Sequence, residues 1–303
     1  MNTMLNRYMK KTALLSMCLL SLYFSGCVEM NGDETGGRLE GFQNTKGERI
    51  AEIIQDKDLN ELKDFLDSDT SGINAIGKDG MTLLMWAVKS GNFDIARELL
   101  KAGADPDIKS STGKTAVFYA TEAQWGDVDN IHDRKFIDLL VEFGADVNLV
   151  YTGSGTLIHY GTSPLIHAAS RSLEKVKALM DGGAKKNYKT DRNWTAANQA
   201  LLNEMVDIAH YLIVKEKADI TQPYYYKDLS DGTLNKDDPR EPVGLLKKWV
   251  YELNSDKHDK KMEIVQEFTR QGVDYWSYKP DQNTLKHIKK LYPDNWQEYL
   301  NKY

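Results

Sequence analysis

Between residues 80 and 105 the apolar positions form two short stripes. Leu83, Leu84, Ala87 and Val88 recur at helical spacing, and Ile95, Ala96, Leu99 and Leu100 do so again after Asn92, a residue suited to capping a helix. Gly103 follows directly, where a left-handed residue that ends a helix is cheapest without a Cβ. Two helices this short cannot bury both stripes by themselves, so the pattern predicts neighbours of the same build. Strand-type alternation is almost absent along the chain, and the expected class is all-α.

The neighbours are visible in the sequence. Gly113-Lys-Thr115 follows Gly80-Met-Thr82 by 33 residues, and Gly144-Ala-Asp146 answers Gly103-Ala-Asp105. Gly161-Thr-Ser-Pro-Leu165, Ala168-Ala169 and Leu179-Met-Asp-Gly-Gly-Ala184 form another copy. Asn193-Trp-Thr195, Ala200 and Ala218-Asp219 form a weaker one. A helix-turn-helix unit of this period with Thr-Pro-Leu-like and Gly-Ala-Asp signatures resembles the ankyrin repeat. The resemblance covers roughly 47–220 and implies a solenoid of about five to six units that binds another protein.

Four segments follow: 1–26, 27–46, 47–220 and 221–303. Residues 27–46 are polar, Gly-rich and unpatterned and read as a flexible tether. From Gly47 to Asn74 the stripes Ile50, Ile53, Ile54 and Leu59, Leu62, Phe65, Leu66 suggest an N-terminal cap with a charged outer face. The segment 124–133 is an insertion beyond the 33-residue unit, and 149–160 reads as a projecting β-hairpin around Thr152-Gly-Ser-Gly155. The last copy has Asn193 where Gly is expected and Lys217 before Ala218. Beyond a Pro-punctuated connection, Val243–Leu253 and Lys260–Arg270 suggest a degenerate sixth unit. Short helices at 284–291 and 295–300 cap the stack, with Trp249, Trp276 and Trp296 covering its last apolar face.

The first 26 residues carry Arg7, Lys10 and Lys11 and then the apolar run Thr12–Phe24, the arrangement of an export signal. Phe24-Ser-Gly-Cys27 resembles a bacterial lipobox, which implies lipidation of Cys27 after cleavage. An ordinary signal peptide and an uncleaved anchor are the alternatives, although the run is short of the about 20 apolar residues a span needs. Val28, rather than Asp, follows the cysteine. By resemblance to enterobacterial lipoproteins this implies the outer membrane, facing the periplasm. Cleavage would take the net charge from −6 to −9, with 36 Lys and Arg left against 45 Asp and Glu. Such a balance argues against nucleic acid as a partner. Cys27 would then be the only cysteine, so no internal disulfide is expected.

No nucleophile-elbow, phosphate-loop, dinucleotide or His-Glu-x-x-His pattern is present, and the six histidines never pair at ligand spacing. Asp127, Asp129 and Asp133 lack the Gly and Glu of a calcium loop. No catalytic residue, metal or cofactor is expected, and the chain reads as a monomeric binding protein rather than an enzyme. Trp86, Tyr119 and His167 fall where the units pack on one another and read as core.

The groove-facing residues are expected at the finger tips and just past each first helix. They are Lys78, Asp79, Met81 and Lys89; Ser111, Thr112, Lys114 and Glu122; His159, Tyr160, Thr162 and Arg171; and Asp191, Arg192, Trp194 and Asn203, with Tyr151 from the hairpin. Tyr, Trp, Met and Arg are the types that concentrate binding energy at interfaces. Lipid-anchored ankyrin-repeat proteins resemble immunity proteins that shield bacteria from secreted phospholipase-type toxins. An inhibitor of that kind and an adaptor of envelope assembly both remain open.

Overall fold

The computed structural model describes residues 40–56, 58–78, 80–122, 134–154, 158–227 and 233–303. The signal segment, Cys27, Asp79 and the 124–133 insertion lie outside them. Helices among the described residues alternate between two layers. The inner helices are α1 (Glu48–Gln55), α3 (Leu83–Lys89), α5 (Ala116–Ala120), α7 (Pro164–Ala168), α9 (Ala196–Leu202) and α11 (Pro242–Leu246). The outer ones are α2 (Leu59–Ser68), α4 (Phe93–Lys101), α6 (Lys135–Glu142), α8 (Leu173–Asp181), α10 (Val206–His210) and α12 (Asp256–Arg270). From α3 to α11 each inner helix packs on the next, and from α2 to α12 each outer helix does likewise. One continuous apolar core runs from Phe42 to Tyr275.

Four inner helices open in the same way. The hydroxyls of Thr82, Thr115, Ser163 and Thr195 accept from the amides of Met85, Phe118, Ile166 and Asn198 at 3.1–3.3 Å. Each cap satisfies an amide that a helix of five to seven residues could not otherwise pair, so the repeat is phased on Ser or Thr. Asn92 does not cap α4; its side-chain amide donates to Ser90 Oγ at 2.8 Å.

The outer helices end on a shared turn. Gly103, Gly144 and Gly183 have φ of +93°, +85° and +86°. The amides of Ala104, Ala145 and Ala184 then reach back to the carbonyls of Leu99, Leu140 and Leu179. In the fifth unit Lys217 takes the left-handed place at φ +56°, and the equivalent bond from Ala218 spans one residue more, to Leu212. The π-helical turn Tyr211–Lys215 absorbs that residue. Asn193, at φ +56°, likewise stands in for glycine, as a short polar side chain can. Both departures keep the geometry of the unit.

The aspartate that follows Gly-Ala has a structural reason. Side-chain oxygens of Asn74, Asp107, Asn148 and Asn187 accept from the amides of Asp105, Asp146, Lys185 and Asp219 in the following unit, at 2.8–3.0 Å. Asp105, Asp146 and Asp219 each accept from the amide two residues on. A ladder of side-chain-to-backbone bonds thus runs up the stack and sets the spacing between units.

Three expectations are corrected. The tether ends before residue 46, because Glu40–Phe42 forms a 3-10 turn whose Phe42 is fully buried and whose Gly41 carbonyl accepts from Lys78. The described part of 149–160 has no strand: Tyr151 exchanges single backbone bonds with Gly161 and Thr162, and Thr152 donates to Gly113. Gly113 has φ +78°, and a Cβ there would lie 2.4 Å from the Gly153 amide. Finally, Trp276 is 50% exposed, whereas Trp249 is buried with its indole donating to Leu201 O at 2.9 Å.

The chain closes with α13 (Gln282–Leu291) and α14 (Trp296–Leu300) around Ile288, Tyr299 and Tyr303. Here two buried lysine amines lie against rings. Lys247 Nζ sits 3.6 Å above Tyr275 and Lys261 Nζ 3.5 Å above Tyr303, while Lys261 donates to Trp249 O at 2.8 Å.

Candidate functional site

The fingers and the C-terminal ends of the inner helices bring together most of the residues expected to face the groove. Lys78, Ser111, Thr112, His159, Tyr160, Asp191 and Asn203 are exposed. Lys89, Lys114, Glu122, Arg171 and Arg192 are half-buried. Met81, Tyr151 and Trp194 are not on the surface: each is less than 8% exposed, and Thr162 is also buried. Met81 lies in the continuous core. Tyr151 packs on Phe118 at 5.8 Å because its segment folds back on the third finger instead of projecting. Trp194 donates from its indole to Gln199 Oε1 at 2.7 Å and meets Tyr224 edge-on at 4.8 Å.

Behind the third and fourth fingers, Lys114 Nζ pairs with Glu122 at 2.5 Å and lies 5.2 Å from the Tyr119 ring. Lys89 sits over the same ring at 5.3 Å. The fully buried Lys175 donates to Glu122 O at 2.6 Å. Arg171 Nη1 is anchored on His167 O at 2.9 Å and Ser170 Oγ at 3.0 Å. His167 itself is core, its ring tilted against Phe118 at 4.6 Å with Nδ1 2.7 Å from Thr121 Oγ1. Burial, then the charges of Arg171, Lys114 and Lys175, push its pKa well below the ordinary value and keep it neutral.

The fifth finger carries the second half of the face. Its Arg192 carbonyl accepts from the Tyr225 amide, which lays 223–227 along the finger. Tyr188 Oη donates to Gly161 O at 2.9 Å and ties the fourth finger to the fifth. Lys227 pairs with Asp191 at 3.1 Å. His159 has a lowered pKa, through burial first and then the neighbouring charges of Arg192 and Lys227. Tyr226, 44% exposed, joins this surface from the Pro-punctuated connection that follows the fifth unit. The run Tyr224-Tyr-Tyr226 was the signal, but only the bond to Arg192 assigns it to the face.

No group of three or more His, Cys, Asp or Glu that could hold a metal occurs among the described residues. No helix among them is long and apolar enough to cross a membrane.

The family model for ankyrin repeats matches residues 50–150 and 128–224, more than half of the chain. The chain therefore belongs to the ankyrin-repeat family, whose stacked units generally mediate binding between proteins. A Coxiella burnetii protein named for ankyrin repeats is 28% identical over 205 residues, spanning 62% of this chain and 56% of that protein. A similarly named fowlpox virus protein, FPV014, is 26% identical over 168 residues, spanning 46% of this chain and 37% of its own length. The chain thus matches about half or less of the length of these relatives. The crystal structure of EF0377, an ankyrin repeat protein, aligns with a TM-score of 0.50 at 19% identity, covering 73% of this chain and 96% of that one. That likeness establishes the fold alone.

Proposed function

We propose that the protein is a lipid-anchored component of a bacterial envelope that captures another protein on its finger-and-inner-helix face, concave in arrays of this kind. The anchor is the acylated Cys27, joined to the stack by residues 28–39. Attached there, it acts as an inhibitor held where a secreted, membrane-attacking toxin such as a phospholipase arrives. The supporting observation is the face itself, where arginine, lysine and exposed tyrosine meet on a rigid scaffold. These residue types bind well there because little ordering entropy is lost.

Two measurements test this reading. Mass spectrometry of the exported protein should find an acylated Cys27 at the N-terminus, and Cys27→Ala should release the protein from membranes. A strain lacking the gene should lose survival beside toxin-delivering kin and regain it on complementation. Undiminished survival with a disturbed envelope would favour the other reading, a scaffold of envelope assembly. Within the face, Tyr160→Ala should weaken capture by about 1–3 kcal/mol while leaving helicity unchanged.

A further inference from the structure

The charge of the face runs against the charge of the chain. The whole sequence is acidic, at −6. On the third to fifth units, however, the two acidic groups of the face are already engaged, Glu122 by Lys114 and Asp191 by Lys227. Arg171 and Arg192 have no carboxylate partner among the described residues. Arg171 is held in place through Nη1 alone, which leaves its Nε and Nη2 without a protein partner among the described residues and open to solvent. Arg192 has its Nε buried without any hydrogen-bond partner. Burial also lowers the pKa of both guanidinium groups, Glu122 opposing it at Arg171 and Asp191 at Arg192.

The solvent-open nitrogens of the two half-buried guanidinium groups are free of carboxylates and can receive an incoming one through paired, charge-assisted bonds. Tyr160, 63% exposed on the fourth finger, and Tyr226, which lies near Arg192, add exposed amphipathic ring surface to the same face. Discrete arginines on a face with exposed tyrosines suit separated carboxylates on a polypeptide better than the continuous charge of a nucleic acid, which the acidic remainder of the chain repels.

We propose that Arg171 and Arg192 are the anchor points for an acidic segment of the partner protein, whose carboxylates they receive while Tyr160 and Tyr226 pack against the intervening residues. The proposal rests on the reading of this face as the site of protein capture.

The test uses the full mature chain in two arms. In the first, a fluorescein-labelled peptide of alternating glutamate and leucine is titrated by anisotropy, with the lysine-leucine peptide as control. The glutamate peptide should bind in a salt-dependent way, and the lysine peptide should not. Arg171→Gln and Arg192→Gln should each weaken binding by about tenfold with unchanged circular dichroism. Lys101→Gln, on the outer layer, should leave it unchanged. Equal binding by the arginine variants, or competition by inorganic phosphate as strong as that of the peptide, would overturn the proposal.

In the second arm, a photo-crosslinking residue at position 160 or, as a control on α6, at position 142 captures the partner in cells. A crosslink at 160 to an Asp- or Glu-rich segment supports the proposal. A crosslink there to a neutral or basic segment overturns it while sparing the concave-face reading. Crosslinks at 142 alone would overturn both.

Discussion

The middle of the stack and its C-terminal end are held together by different physics. From α3 to α10 each interface reuses one kit: a Ser or Thr cap, a left-handed residue after the outer helix, and an Asn or Asp side chain reaching the next unit's backbone. From α11 onward the kit is abandoned. Lys247 and Lys261, both buried, are held against Tyr275 and Tyr303, and Trp249 bridges to the fifth unit through Leu201 O. Lys217–Glu267, His210–Glu263 and Lys260–Asp207 then clamp α12 onto α10 and the turn that follows it. Many small, similar contacts hold the middle, and a few large, dissimilar ones close the end.

The largest expected effect is at that end. Trp249→Ala should cost about 3–5 kcal/mol by leaving a cavity under α11. Because stability in an array is a sum over neighbours, hydrogen exchange should then show α11–α14 opening while α3–α8 stay protected. Simultaneous loss of the whole stack would mean that the two regions are not separable. In the middle, Leu100→Ala should cost about 2–5 kcal/mol in thermal or urea unfolding, for the same reason but within the repeated interface.

A pH scan sharpens the contrast without a cavity. Burial draws the Lys247 amine from 10.5 down to about 8, with Asp274 opposing, and draws Lys261 well below its ordinary value. A lowered lysine pKa means that the unfolded chain binds more protons between pH 8 and 10.5, so stability should rise with pH over that interval. Tyr275 and Tyr303, raised by burial, reverse the trend only above the ordinary tyrosine range near pH 10. Lys247→Met should reduce the slope between pH 8 and about 10, and adding Lys261→Met should flatten it. The smallest effect belongs to the ladder. Asn148→Ala removes one rung to Lys185 and should cost about 1 kcal/mol, with unfolding still cooperative.

Legibility in the sequence followed the same division. The repeated kit announces itself, since the 33-residue phase and the Gly-Ala-Asp endings each report a backbone requirement that recurs. Even Asn193 and Lys217, which break the pattern in letters, obey it in dihedral angle. The surface was harder to read. The repeat register points Met81 and Trp194 to the finger tips and the hairpin reading points Tyr151 outward, but one position in a finger decides between core and solvent, and all three are buried. Tyr226 has no such signature, because its place depends on one backbone bond from the neighbouring Tyr225 amide to the carbonyl of Arg192, 33 positions before Tyr225. The aromatic-lysine cluster has no periodic signature at all. Its parts lie at 247, 261, 275 and 303, and only folding brings them together.

The side-chain rungs between units also govern how such a chain can change its length. Each rung links one unit to its successor through interchangeable Asn or Asp, so a duplicated internal unit finds ready-made seams above and below. The closing cluster has no such interchangeable partner, and a copy appended after it would meet tyrosine and indole surface with nothing to match. A unit added in the interior would therefore repeat seams that already exist, whereas one placed against the closing cluster would not.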